Sequence, residues 1–185
     1  MSEPADILVL GIGNVLLSDE GVGVRAVNEL ARRYCISKEV ELLDGGTAGI
    51  ELLRHIAGRR QLIIIDAMRA GHPPGTVLRM EGSAVPAAFR TRISPHQLGL
   101  SDLLAAALLT GELPPKLVLF GVEPASLEPG LDLSPAVEAN LDKLLTAMCA
   151  ELREAGCTIE PLAVSFTEKA RFWETSGCNL LAGMN

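Results

Sequence analysis

Several absences in this 185-residue chain narrow its reading. No apolar run approaches the roughly 18 residues that a membrane-spanning helix requires, so no bilayer crossing is expected. There is no basic stripe: 16 Lys and Arg stand against 23 Asp and Glu, a net charge of −7. That balance speaks against a nucleic-acid partner and gives no attraction to an anionic membrane surface. The opening residues MSEPAD are acidic and lack the basic and apolar regions of a secretory signal, so a cytoplasmic protein is expected. The four cysteines, Cys35, Cys149, Cys157 and Cys178, form no C-x-x-C pair, and in a reducing compartment they read as buried or incidental thiols. P-loop lysine, H-E-x-x-H and G-x-S-x-G motifs are all missing. So are repeats, low-complexity tracts and any evident domain linker.

What is present is concentrated between residues 7 and 24, ILVLGIGNVLLSDEGVGV. Residues 7–10 read as a strand buried on both faces. Gly11-Ile12-Gly13-Asn14 then breaks the strand, because glycine permits a tight bend or a positive φ. Ser18-Asp19-Glu20 precedes a helical pattern, where acids complement the helix dipole. A dinucleotide fold is the first association, and the details oppose it. The third small residue of G-x-G-x-x-G is here Leu16, the acid after the second strand lies too far along, and the acidic pair would repel a pyrophosphate.

The remaining periodicity predicts strands at 40–43, 62–65, 76–80 and 117–122. The connection before 76–80 is too short for a helical crossover, which makes that strand an antiparallel edge. Helices are predicted after the first strand, through Tyr34, then at 48–56 with Ile50, Leu53 and Ile56 inward, at 98–109 and at 135–155. An irregular stretch holds residues 93–97, and 124–135 reads as an ordered loop. Alternating strands and helices imply a three-layer α/β/α sandwich on a mostly parallel five-stranded sheet.

The strands end in acids: Asp19 and Glu20, Asp44, Asp66 and Glu123. Parallel strands place all of these ends on one edge of the sheet, where ligands of open α/β sheets bind. Carboxylates crowded there repel unless a cation or protons neutralise them. Asp19 and Glu123 read as helix caps, whereas Asp44, followed by Gly45-Gly46, fits a cap and a functional acid equally. His96 sits in a Ser-Pro-His-Gln segment stiffened by proline. With Glu20 and Asp66 it would form a two-oxygen, one-nitrogen set suited to a divalent transition metal.

Five segments in order, GIGNVLLSDEGVGVR, LLDGGTAGIELL, LIIIDA, ISPHQLGLSDLL and GVEPASLEPGLDLSP, resemble the nickel-iron hydrogenase maturation endopeptidases. The resemblance runs from residue 7 to about 161. It implies removal of a short C-terminal extension from the nickel-loaded large-subunit precursor, which would be the protein partner. It implies metal contacts at Glu20, Asp66 and His96, and a catalytic or substrate-positioning part for Asp44 in Asp-Gly-Gly-Thr. It further implies nickel carried by the precursor, although Cd, Zn or Ni from the medium could enter the same site. Either nickel assists the chemistry as a Lewis acid, or Asp44 or Asp66 activates water. A noncatalytic metal-sensing chaperone of the same precursor is the alternative.

The expected organisation is thus a protease domain over 1–161 and an extension over 162–185. The extension holds three of the six aromatics, Phe166, Phe172 and Trp173. Phe166, Ala170 and Trp173 have the spacing of an amphipathic helix, which would cover its own domain or dock a partner.

Overall fold

The computed structural model describes residues 5–89 and 95–162, with side chains for all of these except 95–98. The expectations for the extension and for the His96 side chain fall outside the described residues.

Four parallel strands make the body of the sheet: β1 (Ile7–Ile12), β3 (Val40–Gly46), β4 (Gln61–Ala67) and β6 (Lys116–Val122). A fifth, β5 (Val77–Glu81), closes one edge antiparallel to β6, and the order is β3-β1-β4-β6-β5. The antiparallel edge is where the short 68–76 connection requires it, since a parallel return needs a crossover of a dozen or more residues. β1 and β4 are buried along their whole length. Alternate residues go to opposite faces. Ile7, Val9, Ile63, Ile65, Val118 and Phe120 face one core. Leu8, Leu10, Leu62, Ile64, Leu117 and Leu119 face the other.

The first core is covered by α1 (Val22–Arg33), α5 (Pro135–Glu138) and α6 (Leu141–Glu154). The second is covered by α2 (Leu53–Ile56), α3 (Ala84–Phe89) and α4 (Pro95–Thr110). The expected three-layer sandwich is therefore present, with particular departures. Tyr34 does not continue α1. It is extended and begins β2 (Tyr34–Ile36), which pairs antiparallel with β7 (Ile159–Pro161) in a separate two-stranded ribbon. Ile50, expected inward, is 51% exposed in a 3-10 turn, and Leu52 is buried in its place. The last helix is interrupted at Asn140. There the side-chain amide donates to the Ala136 carbonyl at 2.9 Å, while the Asn140 N–H turns to Val137. The side chain has taken the acceptor that the next helical N–H would have used.

At the amino edge of the sheet, Glu151 on α6 is 3% exposed. It accepts from Gln61 at 2.9 Å, from Arg79 at 2.8–2.9 Å and from Lys116 at 2.7 Å. Burial alone would raise this carboxyl, but the ionic hydrogen bonds from Lys116 and Arg79 outweigh it and hold the group below its ordinary value of 4.5. A depressed folded-state pKa adds stability above the unfolded value, and that stability is lost as pH falls through the folded value. Glu151→Gln should therefore lower stability at pH 7 by about 2–4 kcal/mol. It should also flatten the loss of stability below pH 4.5, which urea denaturation at stepped pH would measure.

Candidate active site

The carboxyl ends of β1, β3, β4 and β6 share one edge, and two carboxylates are buried there. Glu20 is 6% exposed and Asp66 is 1% exposed. Glycine backbone brings them to neighbouring positions. The 3-10 turn Ser18–Gly21 that carries Glu20 lies against β4, whose penultimate residue is Asp66. Gly23, in the first turn of α1, leaves no room for a side chain: a Cβ there would overlap the carbonyl oxygens of Ile65 and Ile12. Gly13 has φ +129°, and a Cβ there would overlap the Glu20 carbonyl. The glycines of Gly11-Ile12-Gly13 and Gly21-Val22-Gly23 thus serve close packing of a turn and a helix on the strand ends. They do not form the dinucleotide fingerprint, in agreement with Leu16 in its third position.

Asp44 is exposed at the end of β3, and its Oδ1 accepts from the Gly46 N–H at 2.9 Å. The register with β1 shifts here, with Gly11 opposite Asp44 and Ile12 opposite Gly46, so Gly45 is the extra residue of a bulge. Bulges re-aim side chains at sheet edges and next to active sites. This carboxylate therefore stays accessible, while the two beside it are buried.

His96 was expected in an irregular loop, but its backbone lies in the first turn of α4, which begins at Pro95. Proline suits that place, since its missing N–H would have had no helical partner. α4 descends toward Lys116, where β6 starts at the amino edge, so its first turn is at the carboxyl edge. The close approach of Gly99 to Gly49, in the segment following β3, fixes that end. The helix start carrying residue 96 is thus on the same edge as Glu20, Asp44 and Asp66.

The two acids read as helix caps are structural by a different route. Asp19 is fully buried. It accepts from the backbone N–H groups of Ala125, Ser126 and Ser134 and from the Ser134 hydroxyl at 2.7–3.0 Å. It caps no helix of its own, and instead ties the β1 turn to the 123–134 loop. Glu123 accepts from the N–H groups of Ala70 and His72 at 2.7 and 3.1 Å, holding the segment after β4.

The turn after β1 also carries exposed apolar residues that its sequence pattern alone did not single out. Val15, Leu16 and Leu131 are 38%, 60% and 65% exposed. Backbone bonds from Gly130 N–H to Leu16 and from Ser18 N–H to Gly130, both 2.9 Å, join their two segments. The available signal was an apolar triplet, Val15-Leu16-Leu17, placed inside a polar turn.

The frame is an α/β/α sandwich with two buried carboxylates and an accessible aspartate at the carboxyl edge of its sheet, and comparison with known proteins gives its family. The family profile "Hydrogenase maturation protease" matches residues 24–151. The chain is 52% identical over 156 residues to the hydrogenase 2 maturation protease of Escherichia coli (strain K12), covering 84% of this chain and 95% of that one. It is 41% identical over 159 residues to the hydrogenase expression/formation protein HupD of Rhodobacter capsulatus, covering 85% and 76%. The solved structure of the maturating endopeptidase HybD from E. coli superposes with a TM-score of 0.82 at 52% identity, covering 84% of this chain and 97% of that one. The HybD protease from Thermococcus kodakarensis superposes at 0.65 and 28% identity, covering 79% and 97%. This chain belongs to the hydrogenase maturation protease family. It is an endopeptidase that acts in hydrogenase maturation. Among the described residues, no helix is long and apolar enough to cross a membrane.

Proposed function

We propose that this endopeptidase removes a C-terminal extension from the large-subunit precursor of a nickel-iron hydrogenase, and that Glu20, Asp66 and His96 meet nickel carried by that precursor. The observation that carries the reading is the burial of Glu20 and Asp66 on adjoining elements at the carboxyl edge, in a chain of this family. Carboxylates gathered at one edge of a sheet favour a cation between them. An imidazole added to them completes a donor set that accepts nickel or zinc. Nickel arriving with the substrate would supply Lewis acidity at the scissile carbonyl. The protein's part is to hold the peptide and to move protons. Asp44 or Asp66 takes a proton from water, the hydroxide adds to the scissile carbonyl carbon, and the same proton is returned to the departing amine as the C–N bond breaks. Asp44 is exposed and oriented by Gly46, which suits contact with water and peptide; Asp66 is the buried candidate.

The test is incubation of the protein with nickel-loaded and nickel-free precursor, followed by intact mass. We expect a defined C-terminal peptide to be lost from the loaded precursor, with cleavage of the nickel-free form at least tenfold slower. Elemental analysis of the purified enzyme should find far less than one metal ion per chain, because three dispersed ligands complete another protein's coordination shell better than they trap an ion alone. Equal cleavage of both precursors would remove nickel from the recognition step. Stable binding with no change of mass would contradict the substrate assignment.

A further inference from the structure

We infer that Val15, Leu16 and Leu131 form an apolar rim that receives an apolar side chain of the peptide substrate, beside the acids of the carboxyl edge. The inference rests on the proposed cleavage of a precursor peptide at that edge, and it adds what the peptide presents there.

Single exposed apolar residues are ordinary on a protein surface. Leu109, at the far end of α4, is of that kind. Val15, Leu16 and Leu131 are exposed as well, but they are joined to one another and they border the site. The join is made by backbone. Leu17 and Gly130 pair as a parallel bridge, and the Ser18 hydroxyl donates to the Glu128 carbonyl at 2.9 Å. A Cβ at Gly130 would overlap the Ser18 Oγ, so glycine permits this approach. On the other side, Asn14 Oδ1 accepts from the Leu16 N–H at 3.0 Å, and the Asn14 carbonyl accepts from the Leu17 N–H at 3.1 Å. Both backbone groups of Leu16 are therefore engaged, one by Asn14 and one by Gly130. The rim is held in shape before a substrate arrives, which spares the cost of ordering it on binding.

The rim is continuous with the crevice that must receive the peptide. Val15 lies against Gly21, where a Cβ would overlap the Val15 Cα. The Glu20 N–H donates to the Leu17 carbonyl at 3.1 Å. Two residues before Val15, the Gly13 N–H donates at 2.8 Å to the carbonyl of Gly46, the residue whose own N–H is held by Asp44. A peptide lying across Glu20 and Asp44 thus comes within side-chain reach of Val15 and Leu16.

The surroundings select the chemistry of that side chain. Exposed Glu128 and Asp132 flank the Leu131 segment, and the crevice itself is lined by acids. An acidic side chain would meet like charge there, whereas an apolar one covers Leu16 and Leu131 and is removed from water with them. The acids provide for the metal and the chemistry; the rim provides affinity for the peptide.

Two measurements on the full chain test the inference. In the first, the methyl signals of Val15, Leu16 and Leu131 are followed by NMR during titration with millimolar acetylated, amidated pentapeptides Ala-Ala-Leu-Ala-Ala and Ala-Ala-Asn-Ala-Ala. The Leu peptide should shift these signals in a saturable way, and the Asn peptide should not. In the second, cleavage of nickel-loaded precursor is measured for Leu16→Ser, Leu131→Ser, their combination, Leu16→Met and, as a control, Leu109→Ser. The combined variant should raise KM about tenfold or more. Its kcat should stay within about twofold of the parent, as for lost uniform binding. Its melting temperature should be unchanged, as expected of exposed positions. Leu16→Met keeps the apolar surface and should leave KM near the parent value, and Leu109→Ser should change neither constant. Equal shifts from both peptides, an unchanged KM in the combined variant, or a fall in kcat without a rise in KM would each overturn the rim as a peptide subsite. So would methyl signals that move with protein concentration, which would assign the rim to a second copy, or contacts from these methyls to Phe166, Phe172 or Trp173, which would assign it to the chain's own extension. A parent protein that cleaves no precursor would instead defeat the proposed function, and the peptide titration would still decide the rim.

Discussion

Asp66→Asn is expected to slow cleavage of a nickel-loaded precursor by about 10²- to 10⁴-fold, the range for loss of a positioned acid–base group, while the protein stays folded. The residue is 1% exposed at the end of β4, beside the turn that carries Glu20. Asparagine keeps its volume and removes the charge, so the buried position at the end of β4 stays filled. A residue kept for function is often neutral or unfavourable for stability. His96→Ala should lose cleavage similarly with little change in melting. Thermal melts and cleavage rates on the same preparations decide the matter. A variant that melts far below the parent would mark the residue as structural.

Asp19→Ala should do the opposite and destabilise the fold by on the order of 4 kcal/mol, given that hydrogen bonds to a charged group contribute roughly 1.5–3 kcal/mol each and do not add fully. The change deletes the acceptor of three backbone N–H groups and of the Ser134 hydroxyl. Ala125 and Ser126 would be left as donors without a partner. Ser134 would lose the bond that orients its hydroxyl, which itself accepts from Val137 N–H at the start of α5. Urea denaturation should show the lower midpoint, and activity should fall with it as the 123–134 loop loosens on the β1 turn, held there by its remaining bonds to residues 16–19. A stability change below about 1 kcal/mol would mean that water replaces the carboxylate at little cost.

Asp19 and Glu20 are adjacent in sequence and alike in chemistry, yet they do different work. Their position before a helix was legible; their division of labour was not. Asp19 reaches Ser134, 115 residues away, whereas Glu20 lies on the turn packed against β4. No local pattern encodes which of two neighbouring acids meets a distant loop. The same holds for Glu123, which holds the segment after β4 because β4 and β6 are neighbours in the sheet.

The sequence by itself determined the five strands of the main sheet, the burial of β1, the antiparallel edge and the collection of acids at one end of the sheet. Each follows from short-range terms: apolar period, connection length, and the rule that parallel strands end on a common edge. The five ordered motifs, read as a resemblance, also indicated the family. Only the tertiary structure decided the pairing of β2 with β7, the exposure of Ile50, the helix interruption at Asn140 and the separation of buried Glu20 and Asp66 from exposed Asp44. These depend on contacts between residues far apart in the chain, where a carbonyl taken by one side chain or a Cβ absent at Gly23 changes what its neighbours can do. Such contacts leave no periodic trace in the sequence, because their energy belongs to pairs that only the closed fold brings together.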